Sequence, residues 1–292
     1  MGRYRLRPGH RAALRQRKGQ NGATPFVGAY DAIPNLVHVD EPARCTLSAY
    51  TGGALLRLRR DSDDAEADFS HVSAFDPELD VASITAWLAG SAGYIVSVYD
   101  QVSGDTITQA AEAAQPLFVA NVQNGHAGPS FGGSGDHLQG PFTVGGELSQ
   151  PHMSYAVAQL DASVVNNDTQ CTMIDGGSIV GRMLLVKAAS QTPDAWAINA
   201  GSSIYGSSAN SNWNIWAALF NGASSQMWHN GTSQVTGDAG TQNVSTVTMG
   251  SRYDGGVSWK GPIVSFVISD PSHTDEQRLA MQAAMNAYWG AY

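Results

Sequence analysis

Between about residue 115 and residue 270 the chain is divided at short intervals by turn dipeptides: Asn124-Gly125, Gly132-Gly133, Gly145-Gly146, Gly176-Gly177, Asn221-Gly222 and Asn230-Gly231. Glycine and asparagine accept the positive φ of a tight hairpin turn, and glycine weakens any helix that runs through it. What fits between such breaks is a short strand, and many short strands bury their apolar faces by stacking into a sandwich. The apolar runs at 153–160, 179–187, 213–220, 244–249 and 263–269 are the expected strands. The plainest local signal is 218–231, where one Asn-Gly precedes a short strand and another follows it.

Upstream, Leu55-Leu-Arg-Leu-Arg59 alternates apolar and basic residues, the period of a strand with one wet face, and 94–99 resumes that character. The segment from Pro25 to Pro42 reads as an irregular lead-in. Two helices are expected. Near 81–89, Asp80 caps a run in which Ile84, Trp87 and Leu88 fall at i, i+3 and i+4, with Gly90 closing it. Over 275–288, Thr274 and Gln277 form a capping box, Met281, Ala284, Met285 and Tyr288 share a face, and Gly290 ends the helix.

The charge is unevenly distributed. Arg3, Arg5, Arg7, Arg11, Arg15, Arg17 and Lys18 are seven of the sixteen basic residues, and no Asp or Glu lies among the first eighteen positions. The remainder therefore carries nine bases against 25 acids, a net of −16. The expected organisation is a basic N-terminal arm over 1–24 and one domain over 25–292, long enough to bury a core without staples. Such an arm suits an acidic protein surface. Nucleic acid is the weaker partner, because the acidic body repels phosphates. Cys45 and Cys171 show no metal spacing and are expected as free thiols. The basic start has no apolar segment behind it, and no run of about 18 apolar residues occurs, so neither export by the usual route nor membrane insertion is expected.

Three stretches resemble successive signatures of a known family: SAYTGGALLRLRRDSDDAEADF (48–69), VYDQVSGDTITQA (98–110) and NGHAGPSFGGSGDHL (124–138). With LFNGASSQMWHNG (219–231) and the closing MGSRYDGG, strand and helix, they resemble the concanavalin-A-like, laminin-G-type jelly roll of arabinofuranosidase B catalytic domains and of phage or prophage virion proteins. The resemblance implies a mainly β jelly-roll sandwich with a short internal helix and a C-terminal helix. It also makes the acidic run scaffold, with Arg57, Arg59 and Arg60 as local partners of Asp61, Asp63, Asp64 and Glu66. A structural calcium ion on that run is the competing reading, since clustered carboxylates suit hard cations, although the Gly and terminal Glu of a calcium loop are missing. No other cofactor or metal is expected.

The family's hydrolases use two carboxylates, as a retaining mechanism requires. The resemblance places their nucleophile after a Gly-His-Met triplet, where this chain has Gly181-Arg182-Met183 followed by Leu184. Their acid lies in a Gly-Gly-Asp-Asn-like loop, which Asp254 matches only with a shift of a residue or two. Glu147 and Asp175 are free to be recruited. The expectation from these positions is that the chain is not an enzyme and that no residue is catalytic. Carbohydrate binding without cleavage follows, with Asp136, His137, Trp213, Tyr253 and Asp254 as candidate ligands, because sugars need stacking faces and convergent polar groups. Trp216 and Trp228 read as core.

The expected role is a component of a phage or phage-like particle, as head spike, decoration or tail fibre, displaying the jelly roll towards host surface polysaccharide. It would sit on the particle surface in multiple copies, made in the host cytoplasm and anchored to other particle proteins by the seven arm cations. The alternatives are a glycoside hydrolase of the arabinofuranosidase type and a purely structural decoration protein.

Overall fold

The computed structural model describes residues 24–141, 146–167 and 169–292. The seven arm cations, Arg3 to Lys18, and Gly145 lie outside the described residues. The body is the expected mainly β sandwich, antiparallel throughout.

One sheet has six strands in the order Leu36–Asp40, Lys260–Ser269, His152–Gln159, Trp213–Phe220, Ser225–His229 and Thr232–Gly237. The other runs from Ser203–Ser208 through Ala195–Asn199, Leu184–Ala188, Cys171–Asp175, Thr246–Met249, Leu138–Pro141, Thr106–Thr108, Gly93–Tyr99 and Ala54–Arg60 to Glu66–Ser73. The long strand Lys260–Ser269 belongs to both layers. Its first residues pair with His126–Gly132, and past a bulge it joins the six-stranded sheet.

Side chains alternate across a strand, and the burial follows that period. Ala156, Ala158, Trp216, Ala218 and Phe266 of the smaller sheet meet Leu56, Leu58, Ile95, Trp196, Leu185 and Val247 of the larger one in the central core. Tyr155, Val157, Ile215, Ala217 and Val267 point the other way, under Met281, Met285 and Trp289 of the C-terminal helix α2 (Asp275–Trp289), with Trp228 in the same layer. Trp216 and Trp228 are buried, as expected. Helix α2 starts at the predicted capping box and stops at Gly290 with φ 58°. The inner helix α1 (Val81–Leu88) begins at Asp80, whose side chain accepts from the Ser83 N–H. Asn230 and Gly231 adopt φ of 51° and 77°, the positive values their hairpin needs.

Two elements differ from expectation. The lead-in contains the strand Leu36–Asp40, built on the edge of the smaller sheet. The strand expected at 179–187 begins only at Leu184, because Ser178 and Gly181 pair in a tight loop whose tip leaves Ile179 and Val180 59% and 72% exposed. The acidic run is scaffold in its contacts. Arg57 pairs with Asp68 through two 2.8 Å bonds, Arg59 with Asp64 at 2.7 Å, and Arg60 with Asp63 at 2.8 and 2.7 Å. Cys45 and Cys171 are buried free thiols. No helix among the described residues is long and apolar enough to cross a membrane.

Candidate functional site

The outer face of the larger sheet carries a row of polar residues set by register. Gln139 pairs with Thr248, and Thr248 pairs with Asp175. Gln139 Nε2 donates to Thr248 Oγ1 at 2.7 Å, and Thr248 Oγ1 donates to the Gly176 carbonyl at 2.8 Å. Asp175 ends its strand with no solvent exposure. Its Oδ1 accepts from the Gly176 N–H at 2.8 Å and from Arg182 Nε at 3.3 Å. Its Oδ2 accepts from Arg182 Nη2 at 2.9 Å and from the Tyr253 N–H at 3.3 Å. Burial pushes the Asp175 carboxyl above its ordinary range, with Arg182 and the two backbone donors pulling it partly back.

The Tyr253 contact ties this buried carboxylate to the turn 250–256, in which Asp254 and Gly256 are exposed. Gly250, with φ of 90°, lets that turn close against Phe131, where a Cβ would stand 2.2 Å from the ring. Within the turn Arg252 grips Asp254 with two bonds of 2.8 and 2.7 Å, and the Gly256 N–H adds a third at 3.1 Å. These donors, Arg252 first, hold the Asp254 carboxyl down at about 2, so it is ionised at neutral pH. Tyr253 sits between two guanidinium groups, Arg182 at 5.8 Å and Arg252 at 5.9 Å from its ring centroid.

The structure brings four of the five sequence candidates together and separates the fifth. Gln139 Nε2 also donates to the Tyr253 carbonyl at 3.2 Å. A Cβ on Gly255 would lie 3.6 Å from His137 Cε1, so the 132–137 and 250–256 turns touch. His137 is held by the Gly135 carbonyl at 2.8 Å and by Gln109 Nε2 at 3.1 Å, and Asp136 Oδ2 accepts from the Gly132 N–H at 2.6 Å. Trp213, in contrast, is half-buried at the start of its strand and packs with the apolar layer under α2. Arg182, Gln139 and Thr248 were not anticipated. Register across three strands places Gln139 and Thr248, while Arg182 reaches Asp175 from seven positions along the chain, past the loop closed by Ser178 and Gly181.

No family model matches the chain, and no curated protein matches it. Solved structures do. An arabinofuranosidase complexed with arabinofuranosyl-α-1,2-xylobiose superposes with a TM-score of 0.71 at 15% identity, over 89% of this chain and 64% of that one. A GH54 α-L-arabinofuranosidase soaked with a cyclic sulfate inhibitor gives 0.68 at 16% identity with the same coverage. This chain thus spans less than two thirds of those proteins, and what it shares with them is a glycoside-hydrolase-like β fold.

The expectation that the chain is not an enzyme does not stand against these neighbours, which are glycoside hydrolases, although at 15–16% identity the likeness is one of fold. Ile174 pairs with Leu185, so Asp175 and Leu184 are the next positions along two adjacent strands. Leu184 packs with Val186, Ala188 and Ala197, and the Asp175 carboxylate lies on the neighbouring strand. The particle role gains no support from these structures.

Proposed function

We propose that the chain is a glycoside hydrolase of the arabinofuranosidase type, acting at the corner formed by Asp175, Arg182, Tyr253 and Asp254. The observation that carries this reading is a pair of carboxylates with opposed environments joined through one residue. Burial raises Asp175, Arg252 lowers Asp254 to about 2, and Tyr253 bonds the first and precedes the second. Two carboxyl groups whose proton affinities are driven apart are what acid and base roles in glycoside hydrolysis require.

In this reading Asp254 is the ionised partner of the positive charge that develops at the anomeric carbon. Asp175, the carboxyl more prone to hold a proton, gives it to the leaving oxygen as the glycosidic bond breaks, and the water that then bonds to the anomeric carbon returns a proton to Asp175. Asp175 is enclosed by four donors in this state. Proton delivery therefore requires the 250–256 turn to lift the Tyr253 N–H from Oδ2. Tyr253 and His137 supply flat faces for the sugar, and Arg182 and Arg252 donate to its hydroxyls.

The test is release of nitrophenol from 4-nitrophenyl α-L-arabinofuranoside and of arabinose from arabinan. Turnover that falls in both Asp175→Asn and Asp254→Asn is the expected result. An inactive wild-type protein, or full activity in Asp254→Asn, would overturn the reading.

A further inference from the structure

Hydrogen bonds close a ring through Asp175. Its Oδ2 accepts from the Tyr253 N–H and its Oδ1 from the Gly176 N–H. The Gly176 carbonyl accepts from Thr248 Oγ1, Thr248 Oγ1 accepts from Gln139 Nε2, and the same nitrogen donates to the Tyr253 carbonyl. These directions admit one arrangement of the Gln139 amide. A carbonyl offers no proton and the single Thr248 proton goes to Gly176, so both neighbours need a donor, and the amide nitrogen supplies two.

The tip of the 250–256 turn depends on this ring. At its foot the Gly250 N–H donates to the Met173 carbonyl at 2.8 Å, and the Gly135 N–H to Ser258 Oγ at 2.9 Å. Farther out the bonds stay inside the turn: the Arg252 N–H to the Val257 carbonyl at 2.9 Å, the Gly255 N–H to the Arg252 carbonyl at 2.8 Å, and the Arg252–Asp254 pair. Among the described residues, 252–256 are hydrogen-bonded to the rest of the molecule through Tyr253 alone, by its N–H to Asp175 and its carbonyl to Gln139. Gln139 is itself firmly placed. It pairs with Thr248 on one side and Thr108 on the other, and next to it a Cβ on Gly140 would stand 2.1 Å from the Thr106 carbonyl oxygen, so these strands lie too close for any residue but glycine.

We propose that Gln139 is a positioning residue that latches the 250–256 turn over Asp175 and thereby seats Asp254. Its catalytic consequence rests on the hydrolase reading, whereas the latch itself does not. Each turnover must part the Tyr253 N–H from Asp175, and the Gln139 bond limits how far the turn then travels and brings it back. The charged groups facing Asp175 are Arg182 and, from the turn, Arg252 paired with Asp254. Without the latch that pair recedes as a nearly neutral unit, so the lost Tyr253 donor decides the sign. Its loss disfavours the carboxylate, and Asp175 keeps its proton to higher pH.

The test follows amide hydrogen exchange by NMR in the full-length protein, at Tyr253 and at Ala156 in the core. In Gln139→Leu, exchange at Tyr253 should quicken about tenfold, the worth of roughly one hydrogen bond, with Ala156 unchanged. Gln139→Glu, which keeps the shape of the side chain but carries no donor at neutral pH, should do the same. Unchanged exchange at Tyr253, or an acceleration shared equally by Ala156, would overturn the latch. In arabinofuranoside turnover, Gln139→Leu should lower kcat by about tenfold or more and move the alkaline limb of the pH profile upward, because the acid is lost later. A limb that stays in place would overturn the positioning role. An inactive wild-type protein would sink the hydrolase reading and leave the exchange result to decide the latch.

Discussion

Two of the buried carboxylate clusters among the described residues differ in whether their partners reach solvent. In the first, His38 Nε2 lies 2.6 Å from Asp40 and His38 Nδ1 lies 3.5 Å from Asp100, with exposures of 2%, 0% and 1% for the three residues. Asp100 also accepts from the Val39 N–H at 2.7 Å, from the Val102 N–H at 3.0 Å and from Ser103. These partners bind the edge strand Leu36–Asp40 to the turn after Gly93–Tyr99. The second cluster is Asp175, as buried as those residues, with Arg182, whose side chain is 15% exposed. One of its donors, however, is the half-buried Tyr253, whose turn carries the exposed and ionised Asp254. Burial and a displaced protonation equilibrium are common to both, so neither marks a site. What differs is whether the partners reach solvent.

The largest expected effect comes from breaking the sealed cluster. Replacing His38 with alanine leaves Asp40 and Asp100 as buried charges without their partner, a change that typically costs about 3–5 kcal/mol. Urea denaturation should show that loss in His38→Ala, and a shift of at most about 1 kcal/mol in Asp254→Asn, whose ion pair is exposed. Equal losses in the two variants would erase the distinction between the regions.

The same cluster sets a pH dependence with a definite sign. Burial alone would lower His38, but the Asp40 charge and the Asp100 bond outweigh it and raise the imidazole from 6.5 to about 10. Burial alone would raise Asp100, but the His38 and Ser103 bonds hold it at about 2 against an ordinary 3.8. A raised histidine contributes fully below its unfolded value and loses that contribution as pH climbs through its folded one. A depressed carboxyl does the reverse. Both contributions are complete between 3.8 and 6.5, the first fading up to about 10 and the second down to about 2. Denaturation midpoints across this range should fall above pH 6.5 in the wild type and less steeply in His38→Gln. Parallel slopes would remove the cluster as the cause.

The open cluster should respond in activity. Under the proposed hydrolase function, Asp254→Asn removes a carboxylate that touches the sugar, and turnover should drop by about a hundredfold or more. Substitution of the sealed Asp100 by asparagine should leave the turnover of the protein that remains folded within a few-fold. Rates normalised to the folded fraction decide between these outcomes.

Local chemistry in the sequence was enough for the elements that fix their own ends. The Thr274–Gln277 box, the Asp80 cap and the Asn230-Gly231 turn each carry their partners within a few residues, and the structure has all three. Leu36–Asp40 was hidden because prolines flank it and its hydrogen bonds go to residues 266–269. The strand start at 179 was misplaced because Ile179 and Val180 are apolar yet stand on an exposed loop tip. The candidate corner was half visible. Asp136, His137, Tyr253 and Asp254 were recognisable as polar or aromatic residues in glycine-rich turns. Their meeting with Asp175 and Arg182 depends on the pairing of Asp175 with Thr248, a register 73 positions apart in the chain. Trp213 misled because its asparagine neighbours suggested exposure, whereas its strand turns the indole towards the layer under α2.

The smallest expected effect tests the edge of the larger sheet, several strands across from Asp175. Arg57 and Asp68 are register partners, joined by two 2.8 Å bonds, with side chains 40% and 42% exposed. The Asp68 bond leads in holding the Arg57 guanidinium well above its usual range, but at this exposure water screens both members. An exposed pair contributes about 0–1 kcal/mol even with good geometry. Arg57→Gln should therefore shift the urea midpoint only slightly, and added salt should shrink the difference further. A loss approaching that of His38→Ala would mean that the acidic hairpin is as deeply integrated as the sealed cluster, and would remove solvent access as the property dividing the two kinds of carboxylate. A negligible loss, with arabinofuranoside turnover unchanged, keeps this charge pair as scaffold and confines the chemistry to the corner where Asp175 meets Tyr253.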